Sequence, residues 1–165
     1  MITMTRSVSE LAVTLSVLDR LVDFEPRNSR EVPLTRGQSV HQLKESVRRD
    51  LEWLLNTRLV AMPPDGHLRE VGRSVYVYGL PDFSAYSLSN PDDQNRLIRH
   101  LQTVIKTFDP RLAKVRVVPL EVSGVNTRTL HFRIEALLLM DPAPEHISFD
   151  TILQLSSGEY EVVNA

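Results

Sequence analysis

KTFDPRLAKVRVVPL, residues 106–120, contains the change of period that decides the fold. Upstream of it, Leu97, Leu101, Val104, Ile105 and Phe108 recur at helical spacing. Downstream, apolar and polar residues alternate in twos, the pattern of a strand with one buried face. Pro110 has no N–H for a helix and biases Asp109 toward extended backbone, so the helix must end there. The same helix is announced at its start by Asn90 as N-cap, Pro91 in the first turn, and Asp92 and Asp93 at the positive end of its dipole.

Beyond "KVRVVPLEV" (114–122) the alternation continues. "TRTLHFRIEALLLM" (127–140) sets Leu130, Phe132, Ile134, Ala136 and Leu138 against Thr129, His131, Arg133 and Glu135. "HISFDTILQL" (146–155) turns Ile147, Phe149, Thr151, Leu153 and Leu155 inward, and Gly158 permits a turn into "EYEVV". Strands joined by short turns, with no helix between them, predict an antiparallel sheet. Helices first and strands last predict an α+β domain, its helices packed on one face of a C-terminal antiparallel sheet.

Toward the N-terminus, Leu11, Leu15, Leu18, Leu21 and Val22 predict a short amphipathic helix over 8–22. Phe24 to Gly37 is polar, contains Pro26 and Pro33, and reads as an arm. A clearer helix follows from about Ser39. Val40, Leu43, Val47, Leu51, Leu54 and Leu55 share one of its faces, and Lys44, Glu45, Arg48, Arg49 and Glu52 share the other. Arg48, Arg49 and Glu52 are spaced for ion pairs along that helix. "MPPDGH" (62–67) reads as a loop, and Val75 and Val77, alternating with Tyr76 and Tyr78, as a brief strand. The organisation is therefore a helix and arm over 1–37 and one domain over 38–165, with no internal repeat.

The 165 residues suit one core, and 42% hydrophobic with 24% charged residues is ordinary for a globular chain. A net charge of -2 and a pI near 6.2 give no global footprint for nucleic acid or anionic lipid. The absence of cysteine excludes disulfides, a thiolate nucleophile and Cys-based zinc sites, and suits a reducing compartment. The N-terminus lacks a basic segment followed by a continuous apolar run, and no stretch matches the roughly 18 apolar residues of a spanning helix. The expected address is the cytoplasm, without direct membrane insertion.

Catalytic patterns fare poorly. The five histidines are scattered, no serine sits in a nucleophile elbow, and the six glycines build no phosphate loop. Asp50, Glu52, Asp82, Asp109, Glu121 and Glu135 are available as acids, but no spacing pairs them for hydrolysis. Neither metal nor cofactor is expected.

Two near-identical tetrapeptides remain: Phe24-Glu25-Pro26-Arg27 and Phe108-Asp109-Pro110-Arg111. The first lies in the polar arm. The second sits on the knuckle between helix and sheet, where a rigid arginine can offer a planar fork to a carboxylate. An internal Asp109–Arg111 cap and a partner contact are both consistent with it.

"SVLDRL", "SVRRDLEWLLNTR", "YGLPDFS", "FDPRLAKVRV" and "LHFRIEALLL", in that order, resemble the phage baseplate wedge family often labelled lysozyme-like. Within it, they are most similar to the TssE-type subunits of type VI secretion baseplates. The resemblance runs from about Val17 to the last strand. It implies a structural, non-enzymatic protein that docks on TssF-like and TssG-like wedge subunits and offers a platform for the contractile sheath. A wedge protein of a contractile phage tail or related injection particle is the alternative, and the family label also invites a muramidase. The family's Glu-Pro-Arg motif falls on Asp109, Pro110 and Arg111, with Asp in place of the longer Glu. Those three are the candidate partner-binding residues, and the Glu25 copy is the decoy. The polar terminal strand could accept an added strand from a sheath subunit, with Glu159 and Glu161 guarding against self-pairing.

Overall fold

The computed structural model describes residues 12–23, 26–27, 33–59, 64–83, 86, 90–120, 129–154 and 157–164. Leu11, Phe24, Glu25, Glu121 and Leu155, which figure in the expectations above, lie outside them. Among these residues, three α-helices, α1 (Val17–Leu21), α2 (Arg36–Asn56) and α3 (Pro91–Phe108), precede four strands. The strands are β1 (Leu112–Leu120), β2 (Thr129–Leu138), β3 (Glu145–Gln154) and β4 (Glu159–Asn164). They pair antiparallel in the order β1-β2-β3-β4, so each strand lies beside its neighbour in sequence. The α+β class holds.

Period two fixes which side of the sheet is buried. Phe132, Ile134, Ala136 and Leu138 of β2, Ile147, Phe149 and Leu153 of β3, and Tyr160 and Val162 of β4 all face the core. Against them pack Val47, Leu51, Leu54 and Leu55 of α2 and Leu97, Leu101 and Ile105 of α3. The other side of the sheet carries Arg133, paired with Asp150 across the strands at 2.6 Å, and Glu135. Thr151 is the polar exception: its hydroxyl is buried and, among the described side chains, has no hydrogen-bond partner. Replacing Thr151 by valine keeps the shape and removes the desolvated hydroxyl, so it should stabilise the fold by about 1 kcal/mol. A urea midpoint that falls instead of rising would show that the hydroxyl is bonded in solution.

Local chemistry sets the helix ends. Asn90 accepts from the Asp92 N–H at 3.0 Å and Pro91 opens α3, as its sequence predicts. α2 starts at Arg36, three residues before Ser39, because Thr35 and Gln38 form a capping box: the Gln38 N–H donates to Thr35 Oγ1, and Gln38 Oε1 accepts from the Thr35 N–H at 2.9 Å.

Three local expectations need correction. Of the helix predicted over 8–22, the described part, from residue 12 on, is helical from Val17 to Leu21, because Ser16 caps it, and Val13 and Leu15 before it are non-helical residues packed on the core. The strand predicted at Val75–Val77 is a 3-10 turn that follows another at Val71–Arg73, with the Ser74 hydroxyl accepting from the Tyr76 N–H. Alternation over four residues does not make a strand when no neighbouring strand satisfies its backbone. Finally β1 begins at Leu112 and carries a bulge between Ala113 and Arg116, with Lys114 at φ 53°. The extra residue lets Leu112 and Val115 both turn inward.

The sheet's β4 edge is not open. Asn56, at the end of α2, accepts from the Tyr160 N–H at 2.8 Å and donates to the Tyr160 carbonyl at 2.8 Å, as a neighbouring strand would. Arg48 Nη1 donates to the Val162 carbonyl at 3.1 Å. Strand addition at the polar terminal strand would have to displace both side chains. β1 is the opposite edge.

Candidate functional site: the knuckle between α3 and β1

The knuckle at Asp109-Pro110-Arg111 is where the turn forced by Pro110 meets the middle of α2. Asp109 caps α3, and its carboxylate is buried. It accepts from the Arg111 N–H at 3.1 Å, from Arg111 Nε at 2.9 Å and from Arg111 Nη2 at 2.8 Å. The Asp–Pro–Arg turn is therefore closed on itself by a two-pronged guanidinium–carboxylate pair. Arg111 Nη2 also donates to Asp50 Oδ2 at 2.8 Å, and Nη1 lies 3.4 Å from Ser46 Oγ. That staples the knuckle to α2.

From Asp50 the network runs on toward the N-terminus. Arg49 donates to Asp50 at 2.9 Å and to Asp19 of α1 at 2.9 Å, and its guanidinium lies 4.9 Å from the centre of the Trp53 ring. Asp19 also accepts from Ser46 Oγ at 2.6 Å and from Ser16 Oγ. One chain of opposite charges, Asp19–Arg49–Asp50–Arg111–Asp109, thus ties α1, α2 and the α3–β1 turn together. Burial alone would lower the pKa of Arg111, but the Asp109 and Asp50 carboxylates more than offset it and hold the guanidinium charged.

α1 depends on this network. None of its residues is buried, and Val17 and Leu21 are 64% and 75% exposed, so Asp19 is its main anchor. Burial pushes the Asp19 carboxyl up, yet the bonds from Ser16, Ser46 and Arg49 outweigh it and leave it below its ordinary value of 3.8. A lowered folded-state pKa contributes stability that is complete above the ordinary value and fades as pH falls through the lower one. Acidification below about pH 4 should therefore release α1 before the core unfolds. Faster amide exchange at Arg20 and Val22, whose N–H groups bond back to Ser16 and Leu18, would report it. Equal loss of protection across α2 would count against a local release.

Beside the knuckle lies a hollow of about 180 Å³ between α2 and the second 3-10 turn, lined by the aromatic Trp53, Tyr78 and Phe108, the apolar Leu51 and Leu54, and the charged Asp50, Asp109 and Arg111. Tyr78 and Phe108 meet edge to face at 5.2 Å. A more polar cleft of about 570 Å³ runs along Asn56, Arg58, Gly158 and Glu159. Among the described residues, no group of three His, Asp or Glu is placed to hold a metal ion. No helix among them is long and apolar enough to cross a membrane.

The family model described as baseplate wedge protein gp25 matches residues 41–143, well over half of the chain. The chain belongs to that family. The match runs from the first turns of α2 to the start of β3's approach, so both halves of the knuckle network except α1 fall inside it. Members are structural baseplate components, which accords with a site built from ion pairs and aromatic walls. Two curated proteins are similar at 26% identity, both named anti-adapter protein IraD, from Escherichia coli strains SMS-3-5 / SECEC and O45:K1 S88 / ExPEC. Each alignment covers 76% of this chain and 87% of the relative. A chain in a solved structure titled the baseplate complex from the type VI secretion system is 20% identical, with a TM-score of 0.46, over 76% of this chain and 97% of that one.

The sequence singles out the turn at Asp109, Pro110 and Arg111 but not its connections to the rest of the fold. Asp109, Pro110 and Arg111 come together as a knuckle, and the cap that one reading of the sequence offered is present. Arg49 pairs with Asp19 and Asp50 where helix spacing suggested Glu52, while Arg48 does take Glu45 and Glu52 at 3.0 Å each. Asp50, Ser46 and Trp53 carry no local signal, since Asp50 lies 61 residues from the arginine it binds.

Proposed function

We propose that this chain is a TssE-like wedge subunit of a type VI secretion baseplate, a cytoplasmic, non-enzymatic protein docking on TssF-like and TssG-like subunits. The observation that carries the reading is the family match over α2, the knuckle and the first strands. "RRDLEWLLNTR" and "YGLPDFS" narrow it toward the secretion-system branch. Docking runs through the knuckle, where Asp109, Pro110 and Arg111 set the shape and Trp53, 53% exposed on the next turn of α2, adds contact area. A sheath subunit would add its strand at β1, because Asn56 and Arg48 already occupy β4. A role in a contractile phage tail or injection particle uses the same surfaces.

A muramidase needs one carboxyl held protonated by its surroundings. Among the described residues, the shifted carboxyls, Asp19, Glu45 and Asp150, are all pushed down by hydrogen bonds and arginines. A second reading, an anti-adapter protein, is favoured by the name that both curated relatives carry.

The test is co-purification with TssF-like and TssG-like subunits, comparing wild type with Arg111→Glu, Trp53→Ala and Arg27→Glu, each checked by circular dichroism. Wild type and Arg27→Glu should capture both partners, and the other two should lose them. Should Arg111→Glu fail to fold, Trp53→Ala still carries the comparison. A folded wild type that captures neither subunit removes the wedge reading and leaves the anti-adapter one.

A further inference from the structure

The hollow beside the knuckle has a charge to match. The network around it holds three carboxylates, Asp19, Asp50 and Asp109, against two guanidinium groups, Arg49 and Arg111, which leaves it one cation short. Arg111 directs Nε and Nη2 to Asp109 and Asp50, so its charge is engaged within the network. Asp50 remains 29% exposed at the side chain: Arg49 holds Oδ1 through two nitrogens, and Oδ2 is engaged by a single nitrogen of Arg111. Trp53, Tyr78 and Phe108 line the same hollow.

We propose that this hollow receives an arginine side chain from a partner protein, its guanidinium on Asp50 and its plane against the aromatic walls. The chemistry selects among occupants. An apolar side chain would desolvate Asp50 further without adding a charge to balance the network, and an anionic one would meet like charge. A lysine would satisfy Asp50, but its compact, strongly hydrated ammonium gains less from stacking than a planar guanidinium does. The field at the mouth agrees: burial first, then the charges of Asp50 and Asp109, push the Tyr78 hydroxyl above its ordinary value. The volume, about 180 Å³, suits one side chain rather than a helix or a strand. The inference rests on the wedge reading only for the partner's identity.

Trp53 is the one tryptophan of the chain, so its emission reports on this hollow alone. The full chain would be titrated, at fixed ionic strength, with acetylated and amidated Gly-Arg-Gly, Gly-Lys-Gly and Gly-Leu-Gly peptides. The arginine peptide should give a saturable change and the lysine peptide a weaker one, with none from the leucine peptide. Asp50→Asn should weaken the arginine peptide about fivefold, and Tyr78→Leu, which leaves every charge of the network in place, by a similar factor. Glu161→Gln, on the outer side of β4, should leave it unchanged. Equal response to arginine and leucine would mean an apolar hollow only and would overturn the proposal. So would an arginine peptide that gives no saturable change, or one that binds folded Asp50→Asn as well as wild type. Because the peptides need no wedge subunit, this result and the co-purification result can fail independently.

Discussion

Arg111→Met should cost about 3 kcal/mol of stability, among the largest losses available from a single side chain that is not part of the apolar core. Methionine fills much of the same space, so the cost is not a cavity. It comes from two carboxylates left without their shared guanidinium, one of them, Asp109, only 5% exposed. Breaking such a pair from one side strands the other charge, whereas removing both charges is far cheaper. The double replacement Asp109→Asn with Arg111→Met should therefore recover a good part of the loss. In a cycle of the two singles and the double, the coupling should exceed about 1 kcal/mol. Equal urea midpoints for Arg111→Met and wild type would mean that the knuckle is held by Pro110 and packing, with the guanidinium free for a partner.

The contrast between the knuckle's parts shows what a sequence can carry. α3 was legible because each of its signals is local: the cap is Asn90, the stop is Pro110, and the stripe between them has one period. The three later strands were legible for the same reason, since period two needs only neighbours. Val75 and Val77 misled because two alternations fit a strand and a 3-10 turn equally, and the deciding fact is whether a second strand lies alongside. The first helix misled because Val13 and Leu15 pack on the core as non-helical residues and, among the described residues of that span, the helix runs from Val17 to Leu21. Arg111 was legible as a residue to watch, but its roles were not separable, because Asp50 and Ser46 reach it from a helix far away in sequence. Asn56 shows the same limit. Read along the chain it is a helix end, and only folding reveals it as the surrogate strand that closes β4.

Gly79→Ala should destabilise the fold by about 3 kcal/mol, although it adds a single methyl group. Gly79 sits at φ 110°, a region L-residues rarely enter, and a Cβ there would lie 2.4 Å from the Thr57 carbonyl oxygen. That oxygen is already committed: it accepts from the Leu80 N–H at 2.8 Å, while the Leu59 N–H donates to the Leu80 carbonyl at 2.9 Å. The pair of bonds forms a short parallel bridge between the end of α2 and the segment after the 3-10 turns. It also seats Leu80, fully buried, in the core. An alanine must push Thr57 away, and with it either the bridge or the packing of Leu80. The effect should reach the hollow as well, because Tyr78 is the residue before Gly79 and Trp53 lies one turn before Thr57. Gly79→Ala should thus lower the thermal midpoint and shift Trp53 emission together. Gly37→Ala, at a helical position where a Cβ meets nothing within 4 Å, should instead raise the midpoint slightly and leave the emission alone. A Gly79→Ala protein as stable as wild type would mean that the turn can flip to an ordinary backbone conformation, and that the bridge to α2 does not fix the wall on which Tyr78 stands.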